Sequence, residues 1–239
     1  MEIVVVTLAF SLNSELRKTI SSVVNLANLN PEFFFKLLIV SPKHIEYDLN
    51  EHTENLQLNL LKDNKEGIYQ AFNLALMNVK YSNGFVIFLS QGDFFNIDIK
   101  LNLSDFENND LISFPVKICS VKSSKSIIYE PRKKKCLATG IPHPSTFFKI
   151  SKVIDSGLFP VDLGTAADLY LTNNLINLHN NKVKFKKGEP LSIFYLGGVS
   201  NKPSAIIDFY KVLIRSNLSM WCLIYSLSRK IFSFIKYKS

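Results

Sequence analysis

Between Gly67 and Phe95 the hydrophobic pattern changes period and then breaks off. Ile68, Ala71, Phe72, Ala75, Leu76 and Val79 recur at the spacing of a one-sided helix, which predicts a helix over Gly67–Val79. Phe85–Leu89 is a short unbroken apolar run, the pattern of a strand covered on both faces. It gives way to the polar segment Ser90-Gln91-Gly92-Asp93. Upstream, the same alternation predicts a strand over Ile3–Phe10, a helix over Glu15–Leu29, and strands over Phe35–Val40 and Leu56–Leu61. Asn13 or Ser14 is placed to cap the first helix, and Glu15 in its first turn complements the positive end of the dipole. Alternation of this kind implies right-handed crossovers. The fold class it predicts is α/β, a mostly parallel central sheet flanked by helices.

After Asp93 the pattern shortens. Leu111–Val116, Lys117–Val121 and Ser126–Glu130 read as brief strands, followed by a basic loop and a turn at Pro142–Pro144. Helical spacing returns over residues 166–179, and Leu191–Leu196 reads as a strand. From Pro203 onward no further Pro and no Gly interrupts the chain, and Ile206, Ile207, Tyr210, Leu213, Ile214, Trp221, Ile224, Tyr225, Ile231 and Ile235 recur at roughly helical intervals between basic residues. No run reaches the ~18 consecutive apolar residues of a spanning helix. Two readings of this tail stand: an interfacial helix whose Lys and Arg meet anionic lipid at about 1 kcal/mol each, or helices packed on the domain or on a second subunit.

Composition narrows the class. A chain of 239 residues with 47% hydrophobic content can bury a full core, which argues against disorder and suits one domain over 1–200 with a basic amphipathic extension over 201–239. Met1 opens almost directly onto a strand, without the pattern of a secretory leader. Cys119, Cys136 and Cys222 are odd in number and far apart, so neither a disulfide framework nor a zinc site is expected, and the default setting is cytoplasmic. The net charge of +8 lies in three separate clusters, at Arg132–Lys135, at Lys182, Lys184, Lys186 and Lys187, and in the tail. Separate clusters without a nucleic-acid motif make no recognition stripe, so no nucleic-acid partner is expected.

A strand that ends in polar residues and an Asp can aim that carboxylate into the crevice at the carboxyl end of an open sheet, where such folds bind ligands. Asp93 holds that position, and the turn reading of Ser90-Gln91-Gly92-Asp93 stands beside it. Gly67-Ile68-Tyr69-Gln70-Ala71-Phe72-Asn73, a strand, and then Leu89-Ser90-Gln91-Gly92-Asp93 together resemble family 2 glycosyltransferases of bacterial exopolysaccharide, O-antigen and capsule synthesis. In those enzymes the pattern runs D-x-G-I-Y-D-A-M-N-x-G-I and then L-N-x-G/D-D. Gln70 and Ser90 depart from it, so Asp93 is the carboxylate that remains.

The resemblance implies a GT-A fold and an inverting transfer from a nucleotide diphosphate sugar to a glycan or lipid-linked acceptor, at the inner membrane face. Asp93 would hold Mg²⁺ or Mn²⁺, as hard cations prefer carboxylate, phosphate and water oxygens. Thr7, Asp63, Gly67, Tyr69, Asn73, Gln91, Gly92 and Asp93 would contact the nucleotide sugar. Asp168, in Gly164-Thr165-Ala166-Ala167-Asp168, corresponds to the usual catalytic base, with Asp162 as a nearby substitute and a helix-start carboxylate as the plain alternative. His143, fixed between Pro142 and Pro144, would border the acceptor or serve as a structural histidine. Gly197-Gly198-Val199-Ser200 resembles the late G-G-x-S segment, or is a tight turn. The loop from Ser41 through Pro42, Lys43 and His44 lacks the family's Asp and glycines, which motivates an alternative, a catalytically degenerate scaffold that binds a glycan or a partner enzyme.

Overall fold

Strand β1 (Glu2–Leu8) is apolar from Ile3 to Val6 and runs parallel to both its neighbours, β2 (Phe34–Ser41) and β4 (Phe85–Ser90). The computed structural model of the chain describes residues 1–42, 53–120, 126–132, 140–177, 181–196, 204–216, 224, 225 and 228. Outside them lie Lys43, His44, Val121, Lys133–Lys135, Cys136, residues 178–179, the Gly197-Gly198-Val199-Ser200 segment, Lys202, Pro203 and most of the tail, Trp221 and Cys222 included.

The main sheet has seven strands in the order β10-β6-β9-β4-β1-β2-β3, with β3 at Leu56–Lys62, β6 at Leu111–Ser113, β9 at Thr146–Lys149 and β10 at Val183–Phe185. Its pairs are parallel except around β9, which runs antiparallel to β4 and to β6. A second sheet of four strands, β5-β11-β7-β8, joins Phe94–Phe95, Ser192–Leu196, Val116–Ser120 and Ser126–Tyr129. The fold is therefore a mixed α/β arrangement with a large central sheet flanked by helices, in line with the sequence pattern.

Among the departures from the pattern, two change how the sheets are built. Leu111–Val116 reads as one strand, yet it is cut at Phe114-Pro115, and its halves enter different sheets. Pro115 has no N–H to extend a ladder, and its carbonyl accepts instead from Leu191 N–H at 2.9 Å. The Pro142–Pro144 turn is a 3-10 turn over His143–Ser145 that leads straight into β9, a strand of four residues that the pattern does not announce.

Alternation along the central strands divides the core. Val4, Val6, Val86 and Phe88 face α2 (Ile68–Asn78), α4 (Ile150–Asp155), α5 (Ala167–Asn177) and α6 (Ser204–Arg215). Ile3, Val5, Ile87 and Leu89 face α1 (Ser14–Leu29) and α3 (Leu103–Asn108). Helix α6 buries Ala205, Phe209, Val212 and Leu213 and leaves Ile207, Tyr210 and Ile214 exposed. Its described length thus packs on the domain while keeping an apolar outer stripe. In the second basic cluster, Lys184 and Lys186 are both paired with the buried carboxylate of Asp105 on α3.

Candidate functional site

The carboxyl ends of β1 to β4 meet along one edge, where backbone bonds join Ala9 N–H to Val40 O at 3.0 Å and Asp63 N–H to Ser41 O at 2.9 Å. Thr7 is fully buried beside Ile39 and Leu89, and its hydroxyl has no partner among the described residues. Gly67 begins α2 with φ +125° and ψ 164°, a conformation essentially confined to glycine. No side chain caps that helix among the described residues.

On the α1 side, the loop after β4 is strapped down. Gln91 accepts from Phe10 N–H at 3.2 Å and donates to Asn13 Oδ1 at 2.8 Å, the oxygen that also caps α1 through Leu16 N–H. Gly92 N–H donates to Thr19 Oγ1 at 3.1 Å, and Thr19 donates in turn to Asp93 O at 2.8 Å. Asp93 is 4% exposed, and its carboxylate accepts from Tyr195 N–H of β11 at 3.3 Å. Burial pushes the Asp93 carboxyl up to about 7, held back by the backbone N–H groups of Tyr195 and Ser90.

On the α2 side, Asp168 lies half-buried in the first turn of α5, its Oδ1 accepting from Leu169 N–H at 2.7 Å. Tyr69, from the Gly-Ile-Tyr segment, lies beside it and donates to Thr165 O at 3.3 Å. Burial first, and then the negative charge of Asp168, drive the Tyr69 phenol upward, so it stays protonated. Asp162 is committed elsewhere: Arg215 Nη1 bonds both its oxygens, at 3.0 and 2.9 Å. Of the two carboxylates that the sequence leaves equivalent, only Asp168 is without a basic partner among the described residues.

His143 sits among aromatic rings. Phe88 stacks on it at 5.0 Å with an interplanar angle of 12°, and Phe148, Phe159 and Phe72 complete the enclosure. The residue as a whole is half-buried, but its Nε2 is shut off from solvent and has no partner among the described residues. Burial lowers the imidazole and the Asp168 charge partly restores it. Asn73 has both ends of its amide bonded to the backbone of Phe159.

Tyr69, His143 and Asp168 therefore come together on one face of β4, and Gln91, Gly92 and Asp93 on the other. Among the described residues no hydrogen bond or ion pair joins the two sets, and both adjoin the carboxyl end of β4. Sequence reasoning passed over Thr19, which ties the loop to α1, and Asp208 of α6, which accepts from both the N–H and the hydroxyl of Thr165. A signal for Asp208 existed: it is the acidic residue of a basic helix, on the same face as Ala205, Phe209 and Val212.

No protein-family profile matches this chain, and no curated protein matches it in sequence. Solved structures do match in fold. Residues 1–349 of TarS from S. aureus, in complex with UDP-GlcNAc, align with a TM-score of 0.60 at 17% identity, covering 89% of this chain and 64% of that one. The same protein in complex with UDP gives 0.59 at 17%, covering 92% and 67%. The mannosyltransferase PcManGT from Pyrobaculum calidifontis, in complex with GDP-Man and Mn²⁺, gives 0.58 at 13%, covering 89% and 61%. This chain spans about two thirds or less of the length of each, and at these identities the likeness is one of fold: GT-A-like.

Proposed function

We propose that this chain, whose fold is GT-A-like, moves a sugar from a nucleotide diphosphate sugar to a hydroxyl of a glycan or lipid-linked saccharide in surface-polysaccharide synthesis, with inversion at the anomeric carbon. The observation that carries the reading is the meeting of Tyr69 and Asp168 at the start of α5. It brings the Gly-Ile-Tyr segment to a carboxylate with no basic partner among the described residues, in a fold whose structural neighbours include complexes with UDP, UDP-GlcNAc and GDP-Man. In the reaction Asp168 takes the acceptor proton as the hydroxyl oxygen bonds to the anomeric carbon, while the bond to the diphosphate oxygen breaks. A base so placed contributes about 10²–10⁴ in rate. The protonated phenol of Tyr69 supports the carboxylate, and His143 closes the site from behind. Asp63, Gly67, Gln91 and Gly92, at or just beyond the strand ends, would contact the donor, with the fully buried Thr7 behind them.

Among the described residues no three His, Cys, Asp or Glu side chains converge, so an all-protein metal cage does not fit. A cation held by one carboxylate, with phosphate oxygens and water, does fit. Asp93 would hold it: buried with backbone N–H partners and no cationic one among the described residues, its charge is what Mg²⁺ or Mn²⁺ would offset. When bound, the ion supplies charge compensation for the leaving diphosphate.

The exposed Ile207, Tyr210 and Ile214 of α6 support a peripheral place at the inner face of the cell membrane. No helix among the described residues is long and apolar enough to cross a membrane.

A second reading, a degenerate scaffold that binds a glycan or partner enzyme, is favoured by the 4% exposure of Asp93 and its bond to Tyr195. Turnover of a panel of UDP- and GDP-sugars with Mg²⁺ or Mn²⁺ decides between them. Transfer that Asp168→Asn abolishes supports the enzyme. A folded protein that turns over no donor, and binds neither UDP nor GDP in calorimetry with or without Mn²⁺, supports the scaffold.

A further inference from the structure

The first turn of α5 is held by side chains from two distant elements. Within the 3-10 turn Val161–Ala166, Gly164 leaves helical geometry at φ 54° and ψ −132°. The next residue, Thr165, is gripped from both sides. Thr165 N–H donates to Asp208 Oδ2 at 2.9 Å and its hydroxyl donates to the same oxygen at 3.0 Å, while its carbonyl accepts from Tyr69 at 3.3 Å. The Asp208 carboxylate lies so close over Gly164 that a Cβ there would overlap it. Glycine is thus required twice, for its left-handed φ and for the close approach.

Other polar links run between α6 and this turn, and their exposure ranks them. Arg215 and Asp162 have side chains 46% and 68% exposed, and such surface pairs contribute little. The Asp208 side chain is 14% exposed and accepts two charge-assisted bonds, the stronger kind of contact. Phe209, Val212 and Leu213 bury the helix around it, so the carboxylate is carried on a packed element rather than a free arm.

We infer that Asp208 is a positioning residue for Asp168: from α6 it fixes the Gly164–Thr165 turn against Tyr69 and so sets where α5 presents the carboxylate to the acceptor hydroxyl. The inference rests on the reading of Asp168 as the base. It makes part of the segment beyond residue 200 a component of the site.

The test compares the full chain with Asp208→Ala, Asp208→Asn, Thr165→Val, Asp168→Asn and, as a control at an exposed position before β2, at the amino end of the sheet, Glu32→Ala. Transfer kinetics are followed together with amide exchange of the peptide spanning residues 161–168. Asp208→Ala is expected to lower kcat about 10- to 100-fold with donor KM within about twofold, since small displacements of a reacting group cost on that order. Its Thr165 amide should exchange faster. Asp208→Asn, whose amide oxygen still accepts both bonds, should retain most of kcat, and Glu32→Ala should match the wild type. If Asp208→Ala does not fold, Thr165→Val, which deletes one of the two bonds, should show a smaller fall in kcat of the same kind. A wild-type kcat in the variants that loosen the turn overturns the inference, as does unchanged exchange at Thr165 or a kcat that tracks only the folded fraction. A wild-type rate in Asp168→Asn overturns the base instead, and is told apart because amide exchange reports the grip of Asp208 without turnover.

Discussion

Asn73 and Phe159 are joined by a pair of bonds between one side chain and one residue's backbone: Asn73 Nδ2 donates to the Phe159 carbonyl at 2.9 Å, and Phe159 N–H donates to Asn73 Oδ1 at 3.0 Å. The pairing hooks α2 to the segment that leads into the 3-10 turn ahead of Asp168. It also commits the whole amide of a residue that the sequence motif offers to the nucleotide. Asn73→Ala leaves two backbone groups without partners and is expected to cost about 2–4 kcal/mol, at about 1 kcal/mol per bond plus desolvation. Urea denaturation checks the loss, and donor affinity of the folded fraction should be unchanged. Full stability with weakened donor binding would return Asn73 to the nucleotide pocket.

Gly67→Ala isolates a backbone effect. The nearest atom to a Cβ at this position is Gln70 Oε1 at 3.9 Å, so there is room for the methyl group. The φ of +125° is the obstacle, and holding a non-glycine residue there costs about 1–3 kcal/mol. The expected result is a lower Tm. A Gly67→Ala protein as stable as the wild type would show that the α2 start adopts another conformation.

The order of elements through Asp93 was legible because each is long enough for its period to show. Helix α2 and strand β4 stand where the spacing of Ile68 to Val79 and the run Phe85–Leu89 predict. The second half was less legible for a physical reason: β6, β9 and β10 are three or four residues long, too short for a period, and are held by neighbours distant in sequence. At the site, Tyr69, His143 and Asp168 were readable as residues but their meeting was not, since it depends on contacts between distant segments: Tyr69 and His143 pack on Phe159, Phe88 stacks on His143, and Tyr69 bonds the Thr165 carbonyl ahead of α5. That Asp162 and not Asp168 has a basic partner among the described residues was closed to sequence because that partner, Arg215, lies far along the chain.

Asp93 makes stability depend on pH in an unusual direction. Its folded carboxyl is raised from 3.8 to about 7, so between those values the folded protein keeps a proton that the unfolded chain has released. This contribution is complete near pH 4 and is lost as pH rises through about 7, amounting to about 4 kcal/mol at most. Asp93→Asn mimics the protonated form and removes the dependence. With chelator present, the variant should equal the wild type near pH 4 and exceed it in urea denaturation at pH 8. Parallel stability curves for the two proteins across that range would contradict the burial of the carboxylate.

His143 tests whether an enclosed imidazole works or only fills space. Phe88 stacks on the ring, three further phenylalanines surround it, and Nε2 has no partner among the described residues. A buried nitrogen without a partner costs about 1–3 kcal/mol, so His143→Phe, which keeps the ring and deletes that atom, should be at least as stable as the wild type at pH 7. The acid side discriminates further. Burial lowers the folded imidazole below 6.5, so on acidification the unfolded chain takes up a proton that the folded one refuses, and stability is lost as pH falls below about 6.5. His143→Phe should abolish that loss. Asp93 acts in the opposite sense over part of the same range, so each effect must be read as the difference between one variant and the wild type. Transfer activity then separates the roles. If His143→Phe gains stability and keeps its rate, the ring serves packing behind Asp168; if it gains stability and loses turnover, Nε2 is the atom that the acceptor or the donor phosphate requires.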